Sequence, residues 1–260
     1  MILETLQYLT TPCPRHLRSM GYLKELIATE ARARRCRAAW QPHLEKTRAM
    51  ISAAAKAASG NEKAVVFGGG MLADIPLDVL AGKFATVVLV DVCFLKQTRR
   101  NVWRHPHIEM QTCDITGVAA PLSDGVWPVP VRPTEPTLGE ADLVVSANVL
   151  SQLPLIPLQY ARQRKLYPDD VALPVFARQI IQAHLDYLKT CPGTVCLITE
   201  VERQFLDGGV VLGSEDPLCS VELDKKGAEE WFWDIAPRPE ASPDYDIRNR
   251  VRGVVWRGKT

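Results

Sequence analysis

Five short apolar runs divide residues 64–199, and most of them run straight into a glycine turn or an acid. They are Ala64-Val65-Val66-Phe67, which meets Gly68-Gly69-Gly70; Thr86 to Val90, which ends at Asp91; and Ile108 to Cys113, which ends at Asp114. Leu143 to Ala147 follows Asp142, and Thr194 to Thr199 ends at Glu200. Helical patterns separate them: Pro76–Ala81, Phe94–Trp103 and a long stretch over about 173–189. Strands that are apolar at every position must be covered on both faces, and helices between them make a parallel sheet the economical solution. Right-handed crossovers then predict a doubly wound α/β fold, with a ligand crevice at the carboxyl ends of the strands.

The flanks do not alternate. Residues 17–58 are rich in Ala, Leu, Arg, Glu and Lys and predict two or more helices with a break near Gln41-Pro42. Residues 1–58 are expected to form an N-terminal helical appendage and 59–260 the α/β domain. The β-rich segments 230–235 and 250–256 predict a closing antiparallel strand pair, seven strands in all. Two insertions interrupt the scheme, the proline-rich 121–140 and the stretch 154–174.

Charge and cysteine usage exclude several functions. Thirty-one Lys and Arg against thirty Asp and Glu leave a net charge of +1. Such a balance gathers neither nucleic acid nor an anionic membrane. No apolar run approaches the ~20 residues that a membrane span requires, and the N-terminus does not read as a signal peptide. Seven scattered cysteines form no Cys-x-x-Cys pair, so a cytoplasmic protein with reduced thiols is expected. His105 and His107 flank Pro106 without a third ligand at metal spacing, and no metal is expected.

The glycine turn is the strongest site signal. Gly68, Gly69 and Gly70 let the chain bend and approach a ligand closely. Asp91, at the end of the next strand, lies 21 positions beyond Gly70 and is placed to accept both ribose hydroxyls of an adenosine-type cofactor. Gly68-x-Gly70-x-x-Ala73 also fits a dinucleotide fingerprint, which keeps a nicotinamide oxidoreductase open. Asp74-Ile75-Pro76 reads as a helix start. An acid there repels a pyrophosphate and suits a ligand carrying ammonium and sulfonium groups.

With these motifs in order, the chain from about Ala64 to Trp256 resembles the class I (Rossmann-like) methyltransferases that use S-adenosylmethionine (SAM). Val65 to Gly70 is similar to that family's glycine-rich first motif, Leu89-Val90-Asp91-Val92 to its ribose-binding strand end, and Asp142 to Leu153 to its fourth-strand segment. The resemblance implies cofactor contacts from Gly68, Gly69, Gly70, Asp91 and Val92, from Cys113, Asp114 and Ile115 near the adenine, and from Asn148. Two positions depart from the family: Val66 stands where an acid usually helps hold the methionyl ammonium, and Leu72 replaces the third glycine. Asp74 is the acid expected to substitute.

Acceptor contacts are expected from Gln152, Tyr160, Arg164 and Glu200, with residues 1–58 and the 154–174 insertion enclosing a small-molecule substrate. Methyl transfer asks mainly for alignment and a dry cavity, so no catalytic residue is assigned. The departures at Val66 and Leu72 leave a non-catalytic SAM-binding or partner protein as the alternative.

Overall fold

The computed structural model describes residues 2–258; Met1, Lys259 and Thr260, at the outer limits of the two expected regions, lie outside the described residues. Strands β1 (Lys63–Phe67), β2 (Thr86–Asp91), β3 (Ile108–Thr112), β4 (Leu143–Ala147) and β5 (Thr194–Asp207) run parallel in the order β3-β2-β1-β4-β5. Beyond β5 lie β8 (Asp246–Arg257) and β7 (Glu229–Ala236), both antiparallel to their neighbours. The doubly wound, mostly parallel sheet and its closing pair are therefore as the apolar runs predict.

One strand was not expected. β5 continues past Glu200 to Asp207, turns at Gly208-Gly209, and pairs with β6 (Val210–Glu215) off the seven-strand path. Both glycines have positive φ, 54° and 88°, which suits a tight hairpin. The glycine pair was the available signal for this eighth strand.

Helices cover both faces because β1 and β4 present apolar side chains to each. The N-terminal helices are α1 (Ile2–Thr10), α2 (Arg15–Met20), α3 (Tyr22–Arg35) and α4 (Arg37–Ala57). Ile51, Ala54 and Ala55 of α4 pack in one core with Val66, Leu89 and Val145. The other face carries α9 (Ala172–Leu188), whose Ile181, Leu185 and Leu188 meet Val65, Phe67 and Val144. Residues 65 and 67 face α9 while 64 and 66 face α4, the period of two that a strand imposes. α4 is thus a layer of the sheet's own core, and the connection at 58–62 crosses no gap between cores.

The break in the N-terminal helices falls at Cys36, between α3 and α4, not at Pro42. Pro42 forfeits one backbone bond inside α4, and packing compensates: Trp40 is buried beneath β7 and its Nε1–H donates to Ile235 O at 2.9 Å. Between β1 and β4 lie α5 (Leu77–Lys83), α6 (Lys96–Val102) and α7 (Ala119–Ser123). The second insertion is itself helical: a 3-10 turn at Leu150–Gln152 leads into α8 (Leu155–Arg164). The proline-rich insertion is held down where the Tyr187 hydroxyl donates to Pro136 O. Seven cysteines are free thiols, and no helix among the described residues is long and apolar enough to cross a membrane.

His184 of α9 is buried in this core, with Nε2 3.1 Å from Ser146 Oγ and its ring edge-on to Phe67. Burial drives its pKa from 6.5 down to about 3. Unfolding below pH 6.5 frees a group that takes up a proton the folded chain refuses, so this histidine costs stability as pH falls toward 3. The expected slope is ~1.4 kcal/mol per pH unit. His184→Gln should lack it: between pH 8 and pH 5 the wild type is expected to lose about 2 kcal/mol more than the variant in urea denaturation. Parallel curves for the two proteins would show that His184 is protonated in the folded chain.

Candidate functional site

The strand order reverses at β1 and β4, and a cavity of about 220 Å³ opens there at the carboxyl ends of the strands. Its floor is Gly68, with Val90, Asp91 and Val92 on one side and Ala147, Asn148 and Val149 on the other. Gly68 has φ +90°, and a Cβ there would sit 2.7 Å from the Ala147 carbonyl oxygen, so only glycine lets β1 turn this close to β4. Gly69 and Gly70 do not line the cavity. Gly69 packs its backbone on Leu89, and Gly70 acts through a neighbour, its N–H donating to Asp91 Oδ2 at 2.8 Å.

Asp91 Oδ1 accepts from Val92 N–H at 2.7 Å, and the Cys93 amide adds to these two, so three backbone amides hold the carboxylate. A carboxylate offers about four acceptor sites, so capacity remains for a ligand hydroxyl. Burial pushes the Asp91 pKa up to about 6, against the pull of those amides. Asp114 lines the cavity but is engaged otherwise: Oδ1 accepts from Thr116 N–H and Oγ1–H, and Oδ2 accepts from Ala119 N–H. It shapes the loop that presents Cys113 and Ile115 to the cavity. The Cys113 thiol is pushed up by burial and by Asp114, which makes it a poor nucleophile.

Leu72, where the resembling family has glycine, keeps a glycine's backbone: φ is +57° and the side chain is buried in the α4-side core. Holding a leucine there costs about 1–3 kcal/mol. The helix expected to start at Asp74 begins at Leu77, with Pro76 at its cap position, and none of its residues lines the cavity. Asp74 turns inward instead and takes part in a chain of polar contacts. Its Oδ2 lies 2.7 Å from Asn148 Nδ2, which lies 3.1 Å from His43 Nε2; Trp231 Nε1–H donates to His43 Nδ1 at 3.0 Å. Arg48 donates to the Ala73 carbonyl beside it.

Of the expected acceptor residues, only Gln152 lines the cavity. Tyr160 lies one helical turn beyond Ile156, the last α8 residue to reach the wall, and is buried among Leu17, Leu122 and Phe176. Arg164 is exposed and stacks on that tyrosine at 5.5 Å. Both placements follow from α8, which carries successive turns away from the mouth; a helix was not assigned there from sequence. Glu200 is buried behind the site, where Ser151 Oγ–H donates to it and burial raises its pKa. These three residues do not contribute to the cavity wall.

The opposite wall comes from the N-terminal helices and β7, at residues the sequence did not single out. Tyr22, Glu25, Leu26 and Thr29 of α3 follow an i, i+3, i+4, i+7 spacing, and Trp40, His43 and Leu44 of α4 do the same at i, i+3, i+4. That spacing was the available signal; which face met the sheet was not. Trp233 of β7 completes the wall, with His43 stacked on it at 4.1 Å and Trp40 edge-on at 4.9 Å. Three wall residues hold a buried polar atom without a partner: Tyr22 Oη, Asn148 Oδ1 and Trp233 Nε1. Seven more such atoms belong to described residues away from the cavity, so the three show where a ligand's polar groups would be met and do not by themselves mark a site. Among the described residues no group of three or more His, Cys, Asp or Glu is placed to hold a metal ion.

A doubly wound α/β protein with a walled cavity at its strand-order reversal is the class that fold and site define. No protein-family model matches the chain. No curated protein matches it either. Solved structures do. An N-methyltransferase, NodS from Bradyrhizobium japonicum, shares 13% identity over 83% of this chain and 96% of its own, with a TM-score of 0.37. The complex of DhpI with SAH shares 16% over 90% and 96%, TM-score 0.33. The 23S rRNA methyltransferase ErmE shares 13% over 82% and 68%, TM-score 0.33. What this cavity binds is decided by its own lining.

Proposed function

We propose that the chain is a SAM-dependent methyltransferase acting on a small molecule. The observation that carries this is the charge of the cavity: Glu25, Asp91 and Asp114 line it, and no Lys or Arg does. A nicotinamide dinucleotide brings a pyrophosphate, which needs a cation or free amides. The Gly70 amide that would serve is already donated to Asp91, and no residue of α5 lines the cavity. SAM brings a sulfonium and an ammonium and no phosphate, so the acidic wall attracts it.

In this reading Asp91 takes the ribose hydroxyls, the 113–116 loop borders the adenine, and Gly68 passes beneath the methionine. SAM, when bound, supplies an electrophilic methyl group. This chain's residues orient an acceptor against that methyl and exclude water. The apolar and aromatic wall of Leu26, Leu44, Ile156, Trp40 and Trp233 supports a compact, largely apolar acceptor. His43 is not offered as a base: burial lowers its pKa to about 3, and both ring nitrogens are engaged.

Calorimetric titration tests the proposal. SAM and S-adenosylhomocysteine should each give saturable heat and NADH none. Saturable NADH binding, or no heat with either adenosyl compound, would overturn it.

A further inference from the structure

The polar chain Asp74–Asn148–His43–Trp231 has a direction that follows from counting donors. Trp231 Nε1 is only a donor, and it lies 3.0 Å from His43 Nδ1, so that nitrogen must present its lone pair. His43 is buried, which keeps it neutral. A neutral ring with a bare Nδ1 carries its proton on Nε2. The Nε2–H then points at the Asn148 amide 3.1 Å away, and the atom receiving it must be the amide oxygen. Amide oxygen and nitrogen exchange places by a half-turn of the side chain, so the hydrogen-bond network decides between them. With oxygen in that place, Asp74 Oδ2 at 2.7 Å faces an acceptor and must bring a proton of its own.

We infer that Asp74 is held as a neutral carboxylic acid and that Asn148 turns its NH2 group, not its carbonyl, toward the cavity. The alternative, an ionised Asp74 accepting from Asn148, leaves one of the three contacts as two donors face to face. A buried unmade hydrogen bond costs about 1–3 kcal/mol. The surroundings of Asp74 agree. Arg48 acts on it from α4, Asn148 from the end of β4, Glu200 from β5 and Asp91 from β2, with His43 one contact further on, behind Asn148. Burial and Glu200 raise its pKa, against Asn148 and the more distant Arg48 guanidinium, which is occupied with the Ala73 carbonyl.

The consequence concerns the ligand. The Asn148 atom that lacks a partner becomes a donor, as is the partnerless Trp233 Nε1–H on the wall of the same cavity. The group seated against them is therefore a lone-pair acceptor, such as a carboxylate, a carbonyl or an unprotonated nitrogen, and not an ammonium. Asp74 then does not replace the missing acid at Val66 as an anion. The polarity holds whatever the cavity's ligand is, so its test is separate from the titrations with SAM.

The experiment is made on the ligand-free full chain at pH 7. Long-range nitrogen–proton NMR, with the five histidines assigned through bonds, reads the His43 tautomer; the Nε2–H form is expected. Infrared difference spectra between wild type and Asp74→Asn should show one protonated-carboxyl band lost in the variant. Trp231→Phe removes the donor that locks Nδ1 and should reduce both signatures together. An Nδ1–H tautomer in the wild type overturns the inference, as does the absence of an acid band assignable to Asp74. The tautomer needs no variant, so it decides the matter even if a substituted chain fails to fold.

Discussion

Gly68→Ala is expected to destabilise the chain by about 2–4 kcal/mol, from left-handed backbone strain and an overpacked junction together. Gly68 sits at φ +90°, and an added Cβ would meet the Ala147 carbonyl oxygen and Val149 Cγ2, each at 2.7 Å. Neither obstacle is the free end of a long side chain. Ala147 O is backbone at the end of β4, and Val149 is packed in the α9-side core. Relief requires β1 and β4 to separate at the floor of the cavity, so ligand binding should fall with stability. Gly82→Ala is the control: nothing lies within 4 Å of its added Cβ, and it sits inside α5. That variant should gain about 0.5–1 kcal/mol from helix propensity. Urea denaturation of the two separates a general glycine effect from this one; equal midpoints would show that the β1–β4 junction has room.

Asp91→Ala is expected to weaken SAM binding by about 1–3 kcal/mol, roughly 5- to 150-fold, the cost of losing charged hydrogen bonds to two hydroxyls. The pH dependence makes the assignment specific. In the empty chain burial holds the Asp91 pKa at about 6. Ligand hydroxyls that donate to the carboxylate favour its ionised form and lower that pKa in the complex. Binding below pH 6 then releases a proton, so affinity rises with pH up to about 6 and levels off above it. Between pH 5 and pH 6 the change is about fivefold, because half of the carboxyls are already ionised at pH 6, and the slope approaches one proton per unit only below pH 5. Asp91→Ala should flatten this profile as well as lower it. A variant that binds SAM as tightly as the wild type, with the same profile, would show that the ribose is held elsewhere.

Some of the site was legible in the sequence for a simple reason. Gly68 and Asp91 each stand at the end of an unbroken apolar run, and a parallel sheet carries the ends of adjacent strands to one edge whatever its helices do. Val92, Cys113, Asp114, Ile115, Asn148 and Gln152 reach the wall by the same rule, since each follows a strand end or the turn after it. Tyr160, Arg164 and Glu200 do not, because a sequence position after a strand says nothing of how far the next helix carries a side chain away.

Local composition thus determined this chain's sheet, its crevice and the glycine–carboxylate pair, since strand burial, glycine turns and strand ends are properties of short segments. The aromatic wall could not be read that way. Trp40 and His43 meet Trp231 and Trp233 across some 190 residues of chain, and only packing of α4 against β7 brings them together. The same holds for the proton on Asp74. It depends on a tryptophan donor that reaches the acid through a histidine and an amide contributed by three separate elements, and hydrogen-bond direction is settled only when all of them are in place.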